Sequence, residues 1–145
     1  VGADYSENAI ALARKLFKDD ERFHFDTFNF YDEAYSVLAG IPGSFTVLTA
    51  QAIEQMPTAA PLIAALGKER DRVSEVIQLE PNHSSHDATT LLGAMRARYG
   101  DLNDYNRDLI PLVEDSDDIE VLEKSVAVIG FNAFNPLTLL RWRFR

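Results

Sequence analysis

The spacing of hydrophobic positions switches repeatedly between strand-like and helical periods, dividing the chain into alternating elements. Residues 1–4 form a short apolar run that ends at Asp4 and reads as the end of a strand. Ser6 offers an N-cap hydroxyl. Ala9, Leu12, Ala13, Leu16 and Phe17 then recur at helical spacing, which predicts a helix to Lys18 with one buried face. A polar turn leads to an aromatic run over residues 23–28 that alternates like a strand and closes near Asn29. Residues 31–38 read as a short helix ended by Gly40 and Pro42, and residues 43–49 as a buried parallel strand. A loop with one helical turn spans residues 50–57. A helix covers residues 59–70, with Pro61 tolerated in its first turn.

The next strand is expected over residues 72–79, stopping at Glu80-Pro81 because proline cannot extend a central ladder. Residues 87–99 read as a helix ended by Gly100, and residues 102–113 as another, bent at Pro111. The tail changes character: residues 119–129 and 137–144 are strand-like, and a turn-rich loop joins them. They suggest an antiparallel pair at a sheet edge. The order β-α-β-α-β-α-β-α-α-β-β predicts an α/β fold: a Rossmann-like open, mostly parallel twisted sheet flanked by helices, with a C-terminal antiparallel strand pair. A chain of 145 residues with 46% hydrophobic and 26% charged positions is expected to form one domain over residues 1–145.

Charge narrows the function classes. With 14 basic and 23 acidic residues the net charge is −9. That argues against a general nucleic-acid binder, since phosphate contacts need Lys and Arg. Much of the excess lies in residues 114–120, read as a solvated loop. No apolar run is long enough for a membrane helix, so no membrane partner is expected. The absence of cysteine excludes disulfides and thiolate metal sites, and it fits a cytoplasmic protein.

In an open parallel sheet, ligands gather beyond the carboxyl ends of the strands. The corners there are Asp4-Tyr5, Asn29-Phe30-Tyr31, Gln51 and residues 80–86, and each carries hydrogen-bonding or aromatic groups. Residues 1–6 with Ala13-Arg14 resemble the second strand and following helix of class I S-adenosylmethionine-dependent methyltransferases. The pattern there is an apolar strand, Gly-x-Asp-x-Ser, and a helix carrying Ala-Arg. Residues 25–32 resemble that family's third-strand corner. Residues 46–57, with Ile53-Glu54-Gln55-Met56-Pro57, resemble its fourth strand and the turn after it, and the two closing strands resemble its last two. The glycine-rich first loop of the family has no counterpart. The expectation is therefore a fragment lacking the first strand and helix.

The resemblance implies S-adenosylmethionine as cofactor and methyl transfer to a small-molecule acceptor such as a sugar or other hydroxyl compound. Asp4 matches the acid that accepts from both ribose hydroxyls; a carboxylate suits that role as an acceptor with two oxygens. Tyr5 would lie against the adenine or cover the sheet end. Asn29 would face the adenine amino group or serve the turn, and Phe30 would flank the ring or fill the core. Gln51 would stand beside the sulfonium or face solvent, and Glu54 reads as a structural helix-start residue.

For a hydroxyl acceptor the candidate general bases are His83 and His86, near Glu80. Their spacing also admits a metal, with Glu80 as third ligand, or plain surface histidines; the expectation is no metal. His24 reads as structural. Residues 132–136 with Trp142 resemble the ending of a methyltransferase subgroup, some members acting on sugars or other small molecules. Bottom-up they are a turn and a core or edge filler. Arg141, Arg143 and Arg145 would share one strand face, to meet an acidic partner or, as the expectation here, to protect an edge.

Two other readings stay open: a non-catalytic Rossmann-like interaction module that lost the cofactor, and a nicotinamide-dependent oxidoreductase. The lost central strand would leave an open sheet position, so a homo-oligomer or aggregation is expected.

Overall fold

The structure, a computed structural model, describes residues 1–32, 35–82, 86–130 and 132–145. The chain gathers into two compact units, Val1–Gly43 and Ser44–Arg145.

In the first unit, strand β1 (Gly2–Asp4) leads into helix α1 (Glu7–Leu16) and returns as strand β2 (Phe25–Thr27). The two strands pair in parallel, with Gly2 opposite Phe25 and Asp4 opposite Thr27. Ser6 caps α1 as its side chain predicts, accepting from the Ala9 amide at 3.3 Å. Glycine at position 2 has a steric cause: a Cβ there would lie 2.7 Å from the Phe25 ring. Phe17, Phe23 and Phe25 cluster, with ring centroids 4.6 Å apart for the first two. His24 is exposed, and its carbonyl accepts from Gly2 N at 2.8 Å. Of the helix expected over residues 31–38, the structure shows α2 (Ser36–Ala39) only; Glu33 and Ala34 lie outside the described residues.

The second unit is built on a four-stranded sheet: β3 (Phe45–Ala50), β4 (Val73–Pro81), β5 (Ile119–Ile129) and β6 (Leu137–Phe144). Their order is β3-β4-β6-β5. β3 and β4 are parallel, whereas β6 runs antiparallel to both β4 and β5. The two closing strands keep their expected bounds. They pair antiparallel at one edge of the sheet, as expected, with β5 outermost and β6 joining it to β4.

Helices α3 (Ala60–Lys68), α4 (Leu91–Asn103) and α5 (Leu109–Glu114) and a 3-10 turn, Ile53–Gln55, complete the unit. Its fully buried side chains include Trp142, Ile53, Leu66, Leu140, Val76 and Val113. Apolar burial of this kind supplies most of the stabilisation.

Several boundaries differ from expectation, each for a physical reason. β4 continues through Pro81, which stands opposite Leu137 on β6. The pairing of β4 with β3 ends at Leu79, so proline's missing N–H faces no ladder partner. α4 starts later, at Leu91, because Asp87–Thr90 form its cap: the Thr90 hydroxyl accepts from Gly93 N at 3.0 Å. The helix runs past Gly100 and ends at Asp104, which takes the left-handed conformation at φ +51°. α5 is a separate short helix rather than half of a bent one. Pro111 is its third residue, inside the first turn where no intrahelical donor is needed.

The three tail arginines do not line an edge. Arg141 bonds Glu75 at 2.6 Å and Glu123 at 3.1 Å, Arg143 bonds Glu120 at 2.8 Å, and Arg145 donates to the Asp117 carbonyl at 3.0 Å. Arg141 and Arg143 pair with acidic side chains on neighbouring strands, whereas Arg145 holds a backbone carbonyl just before β5. Among the described residues, no helix is long and apolar enough to cross a membrane.

Candidate functional site

In the first unit the sequence-predicted corners come together through the backbone. Phe28 N donates to the Asp4 carbonyl at 2.9 Å, which ties the end of β1 to the exit from β2. Asp4 is exposed, and its Oδ1 accepts from Ser6 N at 2.7 Å. The acid therefore shapes the start of α1 while presenting its carboxylate to solvent. Tyr5 beside it is 73% exposed, so it fills no core.

Asn29 Oδ1 accepts from Tyr31 N at 2.9 Å, the side-chain-to-backbone bond of a turn-forming asparagine. Phe30 is half-buried and meets Phe28 edge-to-face at 4.9 Å. Tyr35 packs on Phe28 from the other side at 5.3 Å, and its hydroxyl donates to the Phe30 carbonyl at 3.0 Å. Burial pushes the Tyr35 phenol up from its usual pKa. Asp4, Tyr5, Asn29 and Phe30 thus stand at neighbouring strand ends, with polar and aromatic groups held by local bonds.

In the second unit the corner after β3 turns at Gln51, which is exposed and left-handed at φ +49°. Its amide completes the sheet, donating to the Leu79 carbonyl at 3.1 Å. A buried carboxylate holds the next two residues. Glu80 Oε2 accepts from Ala52 N at 3.0 Å and from Ile53 N at 3.1 Å, and Oε1 accepts from Ala52 N at 3.3 Å. Burial pushes the Glu80 carboxyl up to about 7, against the pull of the Thr49 hydroxyl and of the Ile53 and Ala52 amides; the charge of Glu54 adds to the rise.

Further side chains clamp the same loop. Asn106 Nδ2 donates to the Met56 carbonyl at 3.1 Å, and Asn106 N donates to the Glu54 carbonyl at 2.9 Å. Asp108 accepts from Ala59 N at 2.9 Å and from the Thr58 hydroxyl at 2.5 Å. Burial works against the Asp108 charge, but the bonds from Thr58, Ala59 and Asn106 hold its pKa below the usual range. Glu54 is buried and accepts from Asn135 Nδ2 at 3.3 Å. The Tyr105 phenol is raised by burial and then by the charge of Glu54.

Sequence reasoning took Glu54 as a helix-start residue and Asn135 as a turn former, and it missed their contact. It also missed the inward face of β4. Val76, Gln78, Glu80 and Asn82 alternate, and all are buried, so this face grows more polar toward the carboxyl end. The period-2 spacing of those three polar residues was the available signal. It went unused because buried strands are expected to be apolar throughout.

His86 is half-buried, beyond the end of β4. His83 lies outside the described residues. Among the described residues, no group of three or more acidic or histidine side chains is placed to hold a metal ion.

No protein-family model matches the chain, and no curated protein matches it. A solved structure does. The chain resembles the magnesium protoporphyrin IX methyltransferase from Synechocystis PCC 6803, crystallised with bound SAH, with a TM-score of 0.59 at 13% identity. The match covers 99% of this chain and 63% of that one. The fold is that of the class I S-adenosylmethionine-dependent methyltransferases. The α/β architecture and the closing antiparallel strands agree with the reading from sequence. At this identity the likeness speaks for the fold and leaves the chemistry to the site.

Proposed function

We propose that this chain serves S-adenosylmethionine-dependent methyl transfer to a small-molecule acceptor, a sugar or other hydroxyl compound, in the cytoplasm. The observation that carries the reading is Asp4. An acid at the end of β1 keeps an exposed carboxylate, anchored through one oxygen to Ser6 N at 2.7 Å. Such a group suits two vicinal hydroxyls, because it only accepts and it is already oriented. The cofactor supplies an electrophilic methyl group when bound.

The rest of the assignment follows the corners of each unit. In the first, Asp4 takes the ribose hydroxyls, Tyr5 offers an exposed ring to the adenine, and Asn29 and Phe30 serve its polar edge and its face. In the second, Gln51 serves the sulfonium end, and His86 with His83 supplies the general base for a hydroxyl acceptor. Alignment of acceptor, methyl and sulfur accounts for most of the rate in an in-line displacement. The solved structure with bound SAH supports the choice of cofactor.

The test is calorimetry with S-adenosylhomocysteine. Binding is expected, and Asp4→Ala should weaken it about tenfold or more, the scale of a lost hydrogen bond to a charged group. No binding, or equal binding by the variant, overturns the reading.

A further inference from the structure

The Gln51 corner holds a backbone geometry that does not stand by itself. A non-glycine residue at φ +49° persists only where its surroundings hold it there. On one side the Gln51 amide is fixed to Leu79 at 3.1 Å. On the other side Glu80 takes the amides of Ala52 and Ile53 at 3.0 and 3.1 Å. Those two amides open the 3-10 turn Ile53–Gln55, and they have no partner within it.

We propose that Glu80 is the positioning residue of the Gln51 corner, a clasp that fixes this corner for ligand while its carboxylate is charged and releases it on protonation. This rests on the methyl-donor reading above. The chemical cause is direct. A carboxylate only accepts, and here it meets only donors; a protonated carboxyl turns one oxygen into a donor aimed at N–H groups. Charge-assisted bonds are also about twice as strong as neutral ones.

The surroundings let the group titrate without unfolding the corner. Glu80 borders a cavity of about 10 Å³, room for roughly one water, lined also by Gln78, Asn82, Asn106, Arg107 and Thr138. Gln78 Nε2 is buried there and makes no hydrogen bond with any described residue, so a water between polar walls has a donor waiting for it. The charged groups around the clasp come from two segments. Glu54 on the 3-10 turn repels the charged form. Arg107, on the segment before α5, lines the same cavity and pairs with Asp101 at 2.8 Å. Asp108, from the same segment, is committed to Thr58, Ala59 and Asn106. Thr49 on β3 and Thr138 on β6 are neutral. Burial of Glu80 outweighs the donors, which brings its titration to about 7, where modest changes in pH move it.

The experiment is an amide ¹H–¹⁵N NMR titration of the chain from pH 5 to pH 9, paired with S-adenosylhomocysteine calorimetry at pH 5.5 and pH 8. The amides of Ala52 and Ile53 should move with a common midpoint near 7, and Gln51 with them. In Glu80→Gln those titrations should vanish. Affinity in the unaltered chain should be about tenfold higher at pH 8 than at pH 5.5, and this dependence should be lost in Glu80→Gln. Amides that stay still in the unaltered chain overturn the clasp even if the variant does not fold. Amides that titrate over a flat affinity overturn its positioning role. If S-adenosylhomocysteine binds at neither pH, the methyl-donor reading falls and the positioning role with it, while the amides separately decide whether Glu80 is a clasp.

Discussion

Trp142 and Gln78 form a buried polar contact in the second unit's core whose energy can be isolated by mutation. Both side chains are fully buried, and the indole Nε1 donates to Gln78 Oε1 at 2.8 Å. Replacing Trp142 with Phe removes the donor, strands Gln78 Oε1 beside an already unpartnered Nε2, and opens space where the larger ring lay. An unsatisfied buried acceptor costs about 1–3 kcal/mol, and the lost volume adds to it, so Trp142→Phe should destabilise by about 3–4 kcal/mol. Gln78→Met strands the indole N–H instead but removes the unpartnered amide, and should cost about 1 kcal/mol. In the double variant neither polar group remains to be stranded. Its cost should fall below the sum of the single variants by about 1–2 kcal/mol. Urea unfolding at one pH gives all four stabilities. Far-UV circular dichroism is the probe, because Trp142 is the only tryptophan and two of the four proteins lack it. Costs that add within about 0.5 kcal/mol would refute the argument, since independent sites behave that way.

Two other outcomes follow from the same physical reasoning. Because the Glu80 pKa is raised in the folded state, the native chain holds a proton that the unfolded chain releases from pH 4.5 upward; its contribution to stability is complete below 4.5 and is lost as pH rises through about 7, a fall of about 3 kcal/mol by pH 8 that urea unfolding should show in the unaltered chain and not in Glu80→Gln. β3 is an outer strand whose Thr46, Leu48 and Ala50 are exposed, and residues 44–51 carry no charge or proline; the chain should therefore self-associate in sedimentation velocity at micromolar concentration, Leu48→Lys should shift it toward monomer, and an unaltered chain that stays monomeric would refute this reading of the edge.

The order of elements was legible because each change of hydrophobic period is local. A 3.6-residue pattern over residues 9–17 and β-branched, alternating runs in the tail need no knowledge of the partner element. The same locality explains the misplaced boundaries. Proline is barred from a central ladder, yet the pairing of β4 with β3 ends two residues before Pro81, and only strand pairing reveals that. Gly100 was read as a stop, but it is buried within α4, and the stop falls instead to Asp104. Residue 104 looks no different in the sequence from any other polar residue.

The site divides along the same line. Asp4 and Asn29 declared themselves because their partners lie two residues away, at Ser6 and Tyr31, and a short polar side chain beside a turn has few other uses. The clamps on residues 52–59 were invisible because each spans a long stretch of chain: Glu80 reaches back 28 residues to Ala52, and Asn106 reaches back 50 to Met56. Their residue types still carried information. A carboxylate and two amides on the inward face of one strand must find donors or remain as costly orphans, so Gln78, Glu80 and Asn82 required polar partners somewhere in the fold. The partner of Glu80 had to supply N–H groups, and the start of a short helical turn is where a chain has N–H groups to spare. Glu80 is the side chain that takes the first two amides after Gln51, at Ala52 and Ile53, which makes its charge state the variable to control.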